Sequence, residues 1–234
     1  MIRFLPSGFR VRLFLLACSS LIPLPVLAAA YAAYDPQRLL TTTETPAGKK
    51  HGLDVAYLDR MLGALASHAR NYPPQFDSPQ DRQRAVQDVK VLAGMLDALL
   101  IGPTPHPELL LRAGLLNGMG HNLDIPGCAD KAAAAFGRLL QADPAHARGN
   151  LYYGNFLAGS ARPRQALPHL EMAAAAGLPE ASYSLGMTWL SLGDRQKAIE
   201  HLTAYQQRSP SDTAVGRLIE GIRNGKVELK QAGR

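Results

Sequence analysis

A repeated spacing of small residues in the C-terminal half of the chain constrains the fold more than any other feature. Three copies of the pattern each hold a glycine followed by an alanine: Gly120 and Ala132, Gly154 and Ala166, Gly186 and Ala198. The second copy follows the first by 34 residues and the third follows the second by 32 residues. Small side chains at such matched positions let two helices cross at a short distance. Repetition at this period predicts an array of helical hairpins, because one hairpin leaves an apolar face that a neighbouring hairpin must cover.

Large apolar residues hold fixed places around these small residues. They are Phe136, Leu157, Leu170, Trp189 and Leu202. Together with the prolines between units, this order resembles the tetratricopeptide repeat over roughly residues 113–210. The third copy is nearest to the family's pattern, whereas the second has Ala161 at the turn position where glycine is usual. The resemblance implies an all-α fold, a right-handed α-solenoid of about three tetratricopeptide-like hairpins, and it says little about chemistry.

Three cap-and-proline dipeptides predict where helices begin. Ser78-Pro79, Asp143-Pro144 and Ser209-Pro210 each place a capping side chain before a proline. A serine or aspartate at the N-cap accepts a hydrogen bond from a free backbone N–H, and proline is favoured in the first helical position because it has no N–H to satisfy. We therefore predict helix starts at all three dipeptides.

The rest of the chain divides into segments around the repeats. Residues 31–50, rich in threonine and without a helical period, are predicted to form a flexible linker. Residues 51–106 carry two amphipathic stripes and are predicted to form an N-terminal helical hairpin, which either caps the first repeat or carries the specific function. Residues 107–223 hold the repeats and a C-terminal capping helix, and residues 224–234 form a tail.

The N-terminal 30 residues are predicted to be a secretory signal peptide. Three arginines precede an uncharged stretch, and Ala28-Ala29-Ala30 offers a cleavage site. A lipoprotein signal acylated at Cys18 and an uncleaved anchor are the alternatives. All three place the following chain outside the cytoplasmic membrane because the arginines stay inside, which in a bacterium means the periplasm. After cleavage we expect no membrane span.

Charge gives little support for a nucleic-acid ligand. The formal net charge of the whole chain is +6. The predicted leader contributes three arginines and no acidic residue, so its removal lowers this charge to +3. The remaining sequence has no basic stripe with interleaved aromatic residues, and we expect no nucleic-acid partner.

No motif of a known catalytic site occurs in the sequence. There is no G-x-S-x-G, no phosphate-binding G-x-x-x-x-G-K and no H-E-x-x-H. His51 and His121 each precede an aspartate by three residues, which supplies too few ligands for a closed metal site. We expect no enzyme activity, cofactor or metal. The alternative is an enzyme or enzyme subunit whose site is formed by the N-terminal hairpin with His51, His106 or His121.

The resemblance also implies where a partner binds. In tetratricopeptide repeats, the first helices of successive units line a concave groove. The matching positions here give a predicted peptide-binding set: Asn117, His121, Asp124, Arg148, Asn155, Tyr183 and Met187. Asn155 is expected to bond a peptide backbone and Arg148 an acidic group, while Tyr183 and Met187 anchor apolar side chains. The family's carboxylate clamp is not reproduced. The predicted partner is a protein or peptide of the cell envelope.

Overall fold

The computed structural model describes residues 30–227, so the predicted signal peptide with Cys18 and most of the predicted tail lie outside the described residues. A short 3-10 helix at Pro36–Leu39 leads into two antiparallel strands, β1 (Leu40–Thr45) and β2 (Gly48–Leu53). The remaining elements of the described chain are the helices α1 (Val55–Ala69), α2 (Pro79–Leu99), α3 (Pro107–Asn122), α4 (Cys128–Ala142), α5 (Ala147–Gly159), α6 (Pro163–Ala175), α7 (Pro179–Ser191), α8 (Arg195–Arg208) and α9 (Thr213–Arg223).

The repeats form three closely packed pairs of consecutive helices, α3 with α4, α5 with α6, and α7 with α8. The small residues lie where the helices of a pair cross, and the three alanines are wholly buried: Ala132, Ala166 and Ala198. A Cβ added at Gly154 would lie 2.7 Å from Leu170 Cγ, and one added at Gly186 would lie 2.6 Å from Leu202 Cγ. These contacts confirm the predicted all-α solenoid of tetratricopeptide-like hairpins.

Each repeat turns through the left-handed backbone region, and the first does so twice, at Asp124 with a φ of 62° as well as at Gly127. The φ angles at Gly127, Ala161 and Gly193 are 78°, 57° and 84°. Glycine adopts this conformation without steric cost, whereas alanine brings its Cβ too close to the following carbonyl oxygen. The second repeat therefore keeps the turn of its neighbours although its sequence lacks the glycine that favours it.

The first helices of successive units lie side by side in one row. Helix α3 contacts α5, and α5 contacts α7. Helix α1 extends this row, because Arg112 on α3 pairs with Asp59 on α1 and the Asn122 side chain donates to the carbonyl of Ala69. In each pair the two residues are 53 positions apart in the sequence. Because this separation is the same at both ends, α1 and α3 run parallel and in register. We call α1, α3, α5 and α7 the first-helix row.

Helices α1 and α2 differ from the predicted N-terminal hairpin because their backbones approach α3 more closely than they approach each other. Helix α2 is also joined to α4 by side chains. Lys131 Nζ lies 2.6 Å from Asp97 Oδ2, and Arg138 donates to the carbonyl oxygens of Leu100 and Gly102 at 3.2 and 2.9 Å. The pair lacks the glycine and alanine spacing of the repeats, so it covers the first repeat as a splayed unit.

The segment predicted to be a flexible linker is instead ordered at both ends, and that prediction is corrected. Tyr31 and Leu39 are 2% and 1% exposed. The Tyr31 ring packs edge-on against His68 and Phe76, and its hydroxyl donates to Asp88 Oδ2 at 2.7 Å. The residues that follow Leu39 form β1 and β2. Burial of two large side chains fixes a stretch whose threonine-rich middle has the composition of a linker.

The cap-and-proline rule locates only one of the three predicted helix starts. Ser78 accepts from the Asp81 N–H and begins α2 as predicted. Asp143 and Ser209 instead end α4 and α8, and the following helices begin later, behind His146 and Asp212. A residue that closes one helix cannot also start the next when a short turn separates the two. Helix α9 nevertheless caps the array as predicted, with its apolar face packed on α8.

Candidate functional site

The first-helix row carries a charged cluster at the N-terminal ends of its helices. Arg112 forms two hydrogen bonds with the Asp59 carboxylate, at 2.7 and 2.9 Å, and a third with Glu108 Oε2 at 2.8 Å. The Arg112 hydrogen bonds hold the pKa of Asp59 below its usual range, and they raise the pKa of Arg112. The Arg112 side chain is 14% exposed, so this cluster mainly fixes α1 against α3. The sequence analysis missed it because the partners on α1 and α3 are far apart in the chain.

Helix α5 presents an exposed stripe next to this cluster. Arg148 and Asn155 are exposed and lie on one face with Tyr152, at spacings of four and three residues. The Arg148 guanidinium lies over the Tyr152 ring, 5.9 Å from its centre. No carboxylate of residues 30–227 comes within ion-pairing distance of Arg148, although the charge of Arg148 helps to lower the pKa of Asp59. Both predicted side chains are therefore available to a partner.

Tyr183 lines a recess between α7, the last helix of the first-helix row, and α9, which follows the third repeat. This shallow cavity has a volume of about 410 Å³, and its lining residues are Tyr183, Tyr205, Asp212, Ala214, Val215 and Leu218. The rings of Tyr183 and Tyr205 meet edge to face with centres 5.4 Å apart, and the Tyr205 hydroxyl donates to Asp212 at 3.3 Å. An apolar side chain in this recess would contact rings and aliphatic groups.

The Tyr183 hydroxyl stays protonated in this recess. Burial raises its pKa above the usual range, and the negative charge of Asp212 acts in the same direction. A phenol that keeps its proton can donate a hydrogen bond at neutral pH. Met187, one turn further along α7, is half-buried and occupies the position equivalent to Asn155 on α5. Asn155 and Met187 therefore lie on neighbouring parallel helices.

Asn117 does not line a groove, contrary to the prediction. It is 2% exposed, and its Nδ2 donates to the Ala113 carbonyl of the same helix at 2.9 Å. Its Oδ1 is buried with no hydrogen-bond donor in the described part of the chain. The matching residue on α5, Leu151, is also buried at 6% exposed, so this position of the repeat packs inside the array on α3 and α5. Asn117 is thus removed from the candidate site.

His121 and Asp124 lie at the opposite end of the row from Arg148. They line a second shallow cavity of about 340 Å³ at the turn from α3 to α4. Asp124 is paired with Arg82 at 3.2 Å, and the His121 ring contacts Phe156 with centres 5.9 Å apart. Arg148, Asn155, Tyr183 and Met187 thus remain exposed or half-buried on α5 and α7, whereas these two residues lie at the C-terminal end of α3, where His121 contacts the neighbour of Asn155.

The three histidines of the enzymatic alternative are not brought together. His106 caps the N-terminus of α3, whereas His121 lies in its last turn, about 22 Å away at the helical rise of 1.5 Å per residue. His51 lies exposed on β2 and contacts Thr42. Within residues 30–227, no group of three or more His, Cys, Asp or Glu side chains is arranged to hold a metal ion. In the same residues, no helix is both long and apolar enough to cross a membrane.

Comparisons with known proteins give no close relationship. No family model matches the sequence, and no curated protein matches it. Among solved structures, the chain is similar to the crystal structure of a thermophilic TPR protein from Thermus thermophilus. The TM-score is 0.49 and the identity 14%, over 73% of this chain and 92% of that one. At that score the assignment of a tetratricopeptide-like fold rests on the helix pairs and small-residue crossings described above.

Proposed function

We propose that this protein is a non-enzymatic scaffold outside the cytoplasmic membrane, which binds an extended peptide or a helix of a cell-envelope protein across the first-helix row. The observation that carries the proposal is the recess at Tyr183 beside the exposed stripe of Arg148 and Asn155. These features offer an apolar pocket and polar groups on one surface, as peptide-binding grooves do. The periplasmic location rests on the sequence of residues 1–30 alone.

Each part of this surface would contact a different group of the partner. A large apolar side chain of the partner fills the recess and displaces water from the Tyr183 and Tyr205 rings. Asn155 has both a donor and an acceptor free for a peptide backbone. Arg148 stacks on the Tyr152 ring and has no ion pair within residues 30–227, so an acidic group of the partner would gain a charge-assisted hydrogen bond there. A partner with one large apolar and one acidic residue fits best.

A substitution that blocks the Tyr183 recess tests whether a partner binds there. Ala214 is exposed and lines the cavity, so Ala214→Trp should block the recess without removing a packed side chain. Ala204→Trp makes the same change at an exposed position on α8 and is the matched control. The full-length chain and both variants are used for crosslinked pull-downs from an envelope extract, with quantitative mass spectrometry. We expect a partner captured by the unmodified chain and the control and lost with Ala214→Trp.

A second variant tests the polar stripe independently. Asn155→Arg adds a bulky cation to the middle of the proposed surface and should also abolish capture of the same partner. Equal capture by all variants would remove the first-helix row from the binding site. Loss of an enzymatic activity or of bound metal on His121→Ala would favour the enzymatic alternative.

The proposed location has its own measurement. If the chain is cleaved after Ala30, the intact mass of protein extracted from its host should equal that of a chain whose first residue is Tyr31. Protease added to spheroplasts should then degrade the protein, while a cytoplasmic marker stays intact. Protection from the protease in spheroplasts would contradict a position outside the cytoplasmic membrane.

A further inference from the structure

Among residues 30–227, the hairpin of β1 and β2 projects from the helical body, and Leu53 at its base is the strand residue that packs against the core. Eleven of its twelve strand residues are exposed, and Leu53 alone is half-buried. Its base is fixed where the Asp54 N–H donates to the Leu39 carbonyl at 2.8 Å. The sheet has two strands among the described residues, so both outer edges present unpaired backbone groups. An isolated two-stranded sheet is marginally stable in water, and a further strand stabilises it.

The two edges of this hairpin are chemically different. Strand β2 carries Lys49 and Lys50, and lysines on an edge strand oppose pairing with another chain. It also holds two glycines, which are unfavourable in strands. Strand β1 is Leu-Thr-Thr-Thr-Glu-Thr, with four β-favouring threonines and no cation. Its one charged residue, Glu44, is opposite Lys49 within the hairpin. Strand β1 is therefore the edge open to pairing.

We infer that β1 pairs with β1 of a second copy of this chain, in an antiparallel arrangement about a two-fold axis near Thr43. Such pairing gives a four-stranded sheet in the order β2, β1, β1 of the partner and β2 of the partner. A two-fold contact uses the same patch on both copies, which is the commonest symmetry of soluble homo-oligomers. The exposed Leu40 of each copy, 62% exposed, comes beside the hairpin turn of the other.

Charge favours this pairing over the alternative edge. In an antiparallel pair centred on Thr43, the Thr43 residues of the two copies lie opposite each other and Glu44 of one copy lies opposite Thr42 of the other, so like charges do not meet. A matching contact through β2 would bring four lysines together about the axis, and like charges directly opposite are destabilising. In the β1 arrangement, the lysines occupy the outer edges of the four-stranded sheet, where they block growth into a longer array.

The size of the contact sets its strength. A strand of six residues is about 20 Å long, and pairing through one such strand buries less than the roughly 1,200–2,000 Å² typical of stable interfaces. The dimer is therefore expected to depend on protein concentration. The strand residues are not among those of the proposed partner surface on α5 and α7, and different variants test the two proposals, so the proposals can succeed or fail separately.

The test is disulfide crosslinking of the full-length chain in membranes and soluble fractions of expressing cells. Thr43→Cys places a thiol near the axis, and Lys50→Cys places one on the opposite edge. The unsubstituted chain controls for the native cysteines, of which Cys128 is buried. With a mild oxidant, we expect Thr43→Cys to give a product of about twice 25.2 kDa and Lys50→Cys to give little or none. Equal yields, no product, or a crosslink to another protein would overturn the inference.

A second measurement uses charge rather than a crosslink. Thr43→Lys adds an edge lysine to β1, and Thr104→Lys makes the same change in an exposed loop. Sedimentation of the purified full-length proteins in detergent should show loss of most of the dimer for Thr43→Lys and no loss for Thr104→Lys. The far-ultraviolet circular dichroism of both variants should be unchanged, because neither side chain packs in the helical core. A dimer that survives Thr43→Lys would contradict pairing through β1.

Discussion

Replacement of Ala161 by glycine is expected to stabilise the protein. Ala161 has a φ of 57° in the turn between α5 and α6, while Gly193 holds the same position after α7 and Gly127 has a left-handed φ at the start of α4. An L-residue in this region brings its Cβ against the following carbonyl oxygen, which costs roughly 1–2 kcal/mol. Ala161 is exposed, so its methyl group contributes little packing that glycine would lose. The substitution removes the strain and leaves the turn unchanged.

The gain is reduced by the greater freedom of glycine in the unfolded chain, a difference of about 0.4–1 kcal/mol. The net increase in the free energy of unfolding is then about 0.5–1 kcal/mol, which corresponds to about 1–4 °C in the thermal midpoint for a chain of this size. The reverse changes supply the controls. An added Cβ at Gly127 or Gly193 meets no atom within 4 Å, so alanine there tests the backbone conformation alone and should destabilise by a similar amount.

Urea unfolding followed by circular dichroism measures all three variants under one protocol. The expected order of midpoints is Ala161→Gly above the unmodified protein, with Gly127→Ala and Gly193→Ala below it. A lower midpoint for Ala161→Gly, with the slope of the transition unchanged, would refute the reasoning. It would mean that the turn between α5 and α6 does not hold a strained residue.

Three further predictions follow from buried contacts. Gly186→Ala should lower the free energy of unfolding by about 1–3 kcal/mol, because the new Cβ would lie 2.6 Å from Leu202. Urea unfolding measures this change, and an unchanged midpoint would contradict the close crossing. Asp59→Asn should make stability fall less steeply below about pH 4. Arg112 lowers the pKa of the Asp59 carboxyl in the folded protein, so the stability that this carboxylate adds is lost as the pH falls through that pKa. The free energy of unfolding measured against pH tests this, and the same acid dependence in both proteins would argue against the pair. Tyr31→Phe should cost about 1–3 kcal/mol in thermal unfolding, because it leaves a half-buried carboxylate without its donor, and no loss would indicate that water replaces the hydroxyl.

The hairpin crossings of the repeats could be predicted because their cause is local. A glycine and an alanine at a fixed spacing set how closely two consecutive helices can pack, and each pair is joined by a short turn. The same local rule places α3 at Pro107–Asn122, as predicted. Where two local rules competed for one residue, the prediction was wrong: Asp143 and Ser209 end a helix and do not begin the next.

The candidate site depended more on contacts between distant segments. The repeat register indicated Arg148, Asn155, Tyr183 and Met187, because their positions on α5 and α7 follow from spacing within one unit. The same register placed Asn117 on the surface, but it is buried, as is Leu151 at the matching position of α5. The recess at Tyr183 is likewise closed by residues of α8 and α9, whose approach the spacing does not give.

The sequence by itself determined the repeating unit, its helix pairs and the cap at its C-terminal end. These features follow from hydrophobic period and residue size over at most about 34 residues. The tertiary structure decided how the N-terminal region is used. Tyr31 folds back onto Asp88, and α1 joins the first-helix row through a carboxylate 53 residues from its arginine. Such pairings depend on where the whole chain brings two side chains together, and no short pattern encodes that.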